Sequence, residues 1–209
     1  MAKVSTTRKE LQARKERINL ASQGRELLEQ KRSALVKELL KVADRVMQDA
    51  EDLERRAEAA RRALARAQGS AGVAAVRSAA MAARGELPVD VERINVMGVS
   101  VPEIGQVSAQ RPILGRGYAI TGMSTTIDEA ADAFEREVEA IVELAESELR
   151  LRRLAHEIRE LSRRVNALEH ILIPRLKEER DYIKMALQER ARDERFRLKL
   201  AKRLLQRRR

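Results

Sequence analysis

The chain has 209 residues, of which 36% are charged and 2% aromatic, with a formal net charge of +10 and no cysteine. So few rings cannot fill a thick globular core, whereas the abundant Leu, Ala, Arg and Glu suit long helices. The missing cysteine excludes disulfides and thiolate metal sites. No apolar run approaches the roughly 18 residues of a spanning helix, and MAKVSTTRKELQARKER lacks a signal-type apolar stretch, so a soluble cytoplasmic protein is expected.

In chain order, Thr7 and Glu10 form a capping box in which hydroxyl and carboxylate each satisfy a free amide of the first turn, predicting a helix start. Counted in sevens, Leu11, Ile18, Leu39, Val46, Leu53, Ala60 and Ala67 share one position, and Ala21, Leu28, Leu35, Val42 and Ala63 another. This seam predicts a coiled-coil arm over 1–68, interrupted by Arg25, Arg32, Asp49 and Arg56 and stopped by Gly69-Ser70-Ala71-Gly72. At about 1.5 Å per residue the arm would be roughly 90 Å long.

Residues 69–124 read as a short helix from Val73 to Arg84, a hairpin and irregular chain. Val91, Ile94, Val96, Val99 and Val101 supply the strands, Gly98 the turn, and Pro102 is confined to an edge. GRGYAITG, Gly115 to Gly122, lacks both the GK[ST] ending of a phosphate loop and the GxGxxG spacing, so it is expected to be a flexible connector.

Residues 125–209 open with a second capping box, Thr126 and Glu129. The seam is expected through Phe134, Val138, Ile141, Leu144, Leu151, Leu154, Ile158, Leu161, Val165, Leu168, Leu172, Leu176, Ile183 and Ala186, with frame shifts near Leu144 and Leu176. Pro174 cannot bond the carbonyl of His170. Because the apolar rows continue past it, the expectation is a kink and not an end.

The fold class predicted is all-α and elongated: an antiparallel coiled coil of the two terminal arms, with the short helix and β-hairpin at the turn-around end. Pairing Leu11 with Leu200 sets Leu28 by Ile183, Leu39 by Leu172, Val46 by Val165 and Gly69 by Val142. Residues 1–32 hold nine basic and four acidic side chains, and residues 175–209 hold fourteen and six. Folding back gathers this charge at one end, either as a solvated surface or as a tip for an electronegative partner. RRLLQRRR would suit phosphates, but interleaved acids and scarce aromatics argue against nucleic acid. His156 and His170 are fourteen residues apart on one helix and cannot share a metal. The carboxylates pair with Arg at i, i+4. No catalytic, cofactor or metal site is expected.

Thr7 to Leu35 and Arg163 to Arg203 resemble the terminal helices of the D subunit of the V-type and archaeal-type rotary ATPases. The most specific pieces are Gly24-x-x-Leu27-Leu28-x-x-Lys31-Arg32, Asn166-Ala167-Leu168-Glu169, Ile173-Pro174 and Arg197-Leu198-Lys199, while the middle matches in layout only. The resemblance implies a non-catalytic central stalk that transmits torque, its termini inside a hexamer of catalytic and regulatory subunits. The small F subunit would bind its side, and a funnel subunit above the membrane ring would seat its lower end. It implies attachment at the cytoplasmic face, with no membrane insertion and no direct contact with nucleic acid. Gly24, Leu27, Leu28, Lys31, Arg32, Asn166, Pro174, Arg197, Lys199, Lys202 and Arg203 are the partner-facing candidates. Leu39 to Leu64 and Phe134 to Leu161 are candidates for holding the F subunit. In this setting a bend at Pro174 would make the shaft eccentric, and Gly24 would either allow close helix approach or be a tolerated weak spot. The rivals are a prefoldin-like chaperone, which needs exposed apolar tips, and a basic coiled coil that bridges nucleic acid.

Overall fold

The computed structural model describes residues 5–83, 87–105, 107–112, 115–118 and 124–207, apart from the side chains of residues 204, 205 and 207. Arg84, Gly85 and residues 119–123 of the predicted connector lie outside that set. The elements are α1 (Arg8–Ala71), α2 (Val73–Ala82), β1 (Val91–Val96), β2 (Val99–Ile104), α3 (Thr125–Ala167), a π turn (Leu168–Leu172) and α4 (Ile173–Arg207). They form two compact units, one of Met1–Ser33 with Arg159–Arg209 and the other of Ala34–Ile158.

In the first unit the start of α1 runs antiparallel to the end of α3 and to α4. The Glu10 amide donates to Thr7 Oγ1 at 3.2 Å, one half of the expected capping box, while the Glu10 carboxylate meets Arg14 at 2.9 Å. Leu161, Val165, Ile173, Leu176 and Ile183 are buried, against the half-buried Leu11, Ile18 and Leu28. Ion pairs set the register: Arg14 meets Glu179 at 2.7 Å and Arg25 meets Glu169 at 3.5 Å. Leu11 therefore lies at the level of Ile183, and Leu28 at that of Val165, which replaces the expected Leu11–Leu200 alignment. A heptad seam also stays apolar when slipped from one seam position onto the other, here by seventeen to eighteen residues, so only the charged positions could discriminate.

Pro174 neither ends the helix nor sits in an ordinary α turn. The Ile173 amide donates to the carbonyl of Leu168, one residue farther back than in an α-helix, while Ala167 and Ile173 keep right-handed helical dihedrals. Widening the turn ahead of the proline eases the clash of its ring with the preceding carbonyls. The turn also inserts one residue into the repeat: burial passes from Val165 to Ile173, eight positions on, and Leu172 is exposed. The helix thus continues past the proline, as expected, through a π turn, and the expected frame shift near Leu176 is this extra residue.

In the second unit Glu38 meets Arg150 at 4.0 Å, Arg56 donates to the Arg136 carbonyl at 3.2 Å, and Ser70 and Thr126 hydroxyls lie 2.6 Å apart. By these contacts Leu39 stands level with about residues 149–153 and Val46 with about residues 142–146, where Leu172 and Val165 were expected. Ala140, Ser147 and Leu154 are buried seven apart, so no frame shift occurs near Leu144. Phe134, Val138 and Ile141, expected in the seam, are exposed on its flank; the smaller Ala140 and Ser147 hold the interior positions. α1 continues through Gly69 and Ser70, and the break is Gly72, whose φ of 83° suits glycine. α2 then packs back, forming a core of Ala63, Ala67, Ala79, Ile127 and Ala130.

The cap of α3 also differs from expectation. Ser124 accepts from the Thr126 amide at 3.4 Å through Oγ and from Ile127 at 2.9 Å through its carbonyl, so Thr126 lies inside the helix. The hairpin is as expected. Met97 and Gly98 have φ of 53° and 83°, and the Asn95 side chain accepts from the Gly98 amide at 2.7 Å. Two central residues of positive φ match the right-handed twist of the strands. Val96 opposes Val99 and Arg93 opposes Pro102. Counting back from the turn, that second pair is non-hydrogen-bonded, where a proline costs the ladder nothing.

Candidate functional site

The partner-facing candidates fall in two places within the first unit. Gly24, Leu27, Leu28, Lys31 and Arg32 on α1 lie at about the level of Asn166, and Pro174 is nearby along the same pair. Leu20, Leu27 and Ile171 expose large apolar side chains there, and Asn166 and Pro174 are exposed. A Cβ built on Gly24 meets nothing within 4 Å. Close helix approach therefore does not explain this glycine, which leaves the tolerated weak spot.

Arg197, Lys199, Lys202 and Arg203 form the other group. With Arg190 donating to the Thr6 carbonyl and Oγ1 at 3.1 and 2.7 Å, the start of α1 is level with about residue 190. Beyond it α4 continues without α1 beside it, and residues 192–203 are all exposed, including Phe196, Leu198 and Leu200. Basic and apolar side chains thus share one uncovered helix end.

In the second unit Glu38 and Arg150 mark one flank of the α1–α3 seam. Val36, Leu40 and Met47 on α1, and Phe134, Val138 and Ile141 on α3, take the heptad positions of the opposite flank. All six are exposed, as is Leu149 farther along α3. Near α2 this flank enters an apolar cavity of about 390 Å³ lined by Leu64, Val76, Ala79, Tyr118, Phe134 and Val138. Of the hairpin candidates, Val99 and Val101 are buried, Ile94 and Val96 half-buried and Val91 exposed, with Gly98 in the turn.

The sequence reading missed Arg116. Far from sitting in a loose connector, it is 4% exposed. Its Nε and Nη2 donate to the two carboxylate oxygens of Glu135 at 3.1 and 2.9 Å, and it also binds Asp132 and, at 3.5 Å, Asp128. Tyr118 donates its hydroxyl to Asp128 at 2.7 Å. Glu135 chiefly holds the guanidinium charged, well above the ordinary arginine range, while burial and then the Asp128 contact push the Tyr118 phenol up. Asp128, Asp132, Glu135 and Glu139 recur at four, three and four residues, an acidic row on one helix face that was the available signal. Among the described residues no group of three or more His, Asp or Glu is placed to hold a metal ion.

A family model for the D subunit of ATP synthase matches residues 10–203. The chain belongs to this family. It is 42% identical over 197 residues to the A-type ATP synthase D subunit of Methanobrevibacter smithii, covering 94% of this chain and 85% of that one. It is 42% identical over 203 residues to the Thermococcus gammatolerans D subunit, covering 97% and 95%. The Halorubrum lacusprofundi D subunit is 40% identical over 203 residues, covering 97% and 89%. As a member of this family, the chain is a component of a multisubunit ATP synthase. No helix among its described residues is long and apolar enough to cross a membrane.

Proposed function

We propose that the chain is the non-catalytic rotor shaft of its complex, carrying torque between nucleotide chemistry in a hexamer and ion movement in a membrane ring. The observation that supports this most is the uncovered end of α4. A helix that exposes Arg192, Arg195, Arg197, Lys199, Lys202 and Arg203 beside Phe196, Leu198 and Leu200 is suited to a sleeve of surrounding subunits that offers both carboxylates and apolar contacts. The catalytic and regulatory subunits would form that sleeve, and a funnel subunit at the cytoplasmic face of the membrane would seat the opposite part. The small side subunit would dock on the apolar flank of Leu40, Met47, Val138 and Ile141.

The test is gentle low-salt affinity purification of the tagged chain from its native membranes, with mass spectrometry of what accompanies it. Stoichiometric nucleotide-binding subunits plus a small side-bound protein are expected. Nucleic acid, or a mixed set of unfolded clients, would replace this reading with one of its two rivals. A Met47→Glu, Ile141→Glu variant should lose the small subunit and keep the nucleotide-binding ones; retention of both would move the side subunit elsewhere.

A further inference from the structure

The four carboxylates along α3 have one shared use. Glu139 Oε1 accepts from the Ala109 amide at 2.9 Å, Glu135 Oε2 from the Arg111 amide at 3.3 Å, and Glu135, Asp132 and Asp128 take the Arg116 guanidinium. Tyr118 closes the series on Asp128. The connector between β2 and α3 is therefore fastened to one helix face over three turns. Among the described residues its backbone contributes the amide bonds of Gly105 to Asp90 at 3.1 Å and Gly115 to Pro112 at 2.7 Å.

We propose that residues 107–112 and 115–118 form a strap clamped on α3 by Arg116, and that this clamp positions the β-hairpin and closes one wall of the apolar cavity. Three features support it. Arg116 is buried and faces three carboxylates, so its removal leaves like charges together without their counter-ion, and they repel each other. Ala109 is held only five residues beyond Ile104, the end of β2, so the point of attachment to Glu139 limits where the hairpin can stand. Tyr118 belongs both to the clamp and to the cavity wall, so lifting the strap opens the cavity. The strap is a local element whose buried ionic contact is Arg116, helped by the Ala109 and Arg111 amides and the Tyr118 hydroxyl, the kind of segment that opens before the helices it lies on.

The experiment is hydrogen exchange on the full chain, paired with a distance measurement that the cysteine-free sequence makes direct. In Arg116→Gln, amides of the strap are expected to exchange at least tenfold faster while those of α1 and α3 between 140 and 158 keep their rates. Spin labels at Met97→Cys and Leu149→Cys should give a narrow distance distribution with Arg116 and a broad one with Gln. Tyr118→Phe, which removes only a hydroxyl, should loosen the strap by a smaller factor. Unchanged strap exchange in both variants, or equal acceleration throughout α1 and α3, overturns the clamp. An unchanged spin-label distribution overturns its role in positioning the hairpin.

Discussion

The two units keep a similar helical seam with different side chains. In the first, branched aliphatic residues do the packing: Leu161, Val165, Ile173, Leu176 and Ile183 are buried. In the second, Ala60, Ala63, Ala67, Ala79, Ala130 and Ala140 occupy much of the interior, joined by Leu35 and Leu154. Branched side chains bury area at the seam itself, and the helix faces outside it mix charged residues with exposed apolar ones such as Leu20, Leu27, Ile171 and Met185. Alanine layers bury little per residue but let backbones approach, so that a third helix and a strap can be laid on. The first arrangement is sensitive to lost volume and the second to added volume.

That contrast can be broken from the first unit. Ile183 is fully buried there, and Ile183→Ala should cost about 2–5 kcal/mol through lost transfer energy and the cavity left behind. Urea denaturation followed by circular dichroism reads this; a cost no larger than that of an exposed substitution would mean the aliphatic seam is not what holds the unit. Next in size is Ala67→Leu, where the added methylenes have no room, with an expected cost of about 1–3 kcal/mol. If thermal unfolding of this variant matched the parent, the alanine layer would be looser than its burial indicates.

The smallest effect has the opposite sign. Gly24 lies mid-helix with open space where a Cβ would stand, so Gly24→Ala should stabilise by about 0.5–1 kcal/mol. A loss of stability in the isolated chain would contradict the geometry. Unchanged folding with a weakened complex would instead assign the glycine to a partner that presses against it.

How much of this was legible in the sequence depended on whether a signal was local. The Thr7 cap, the hairpin with its Gly98 turn, and the α1 seam through Leu35, Val42, Ala60, Ala63 and Ala67 were readable because each rests on neighbours within a turn or two. Register was not readable. Any slip that carries one seam position onto another preserves apolar contacts, and the deciding pairs, Arg14 with Glu179 and Arg25 with Glu169, involve residues far apart in the chain. The α3 seam was misread for a related reason: Phe134, Val138 and Ile141 are more apolar than Ala140 and Ser147, yet the smaller residues face inward where the helices approach. The Arg116 clamp escaped notice because its glycine-flanked setting reads as loop, although its acceptors already stood in helical spacing on α3.

The π turn ahead of Pro174 has a geometric consequence of its own. One helical residue corresponds to about 100° of azimuth around the axis. From Ile173 onward every side chain points in a direction it would not have if Leu168–Leu172 were an ordinary turn. The exposed Tyr182, Met185 and Phe196 and the basic residues beyond them are thus aimed by a single inserted position. Five residues with no contact to the far end act as its angular index, setting which compass bearing that surface presents without altering a residue of it.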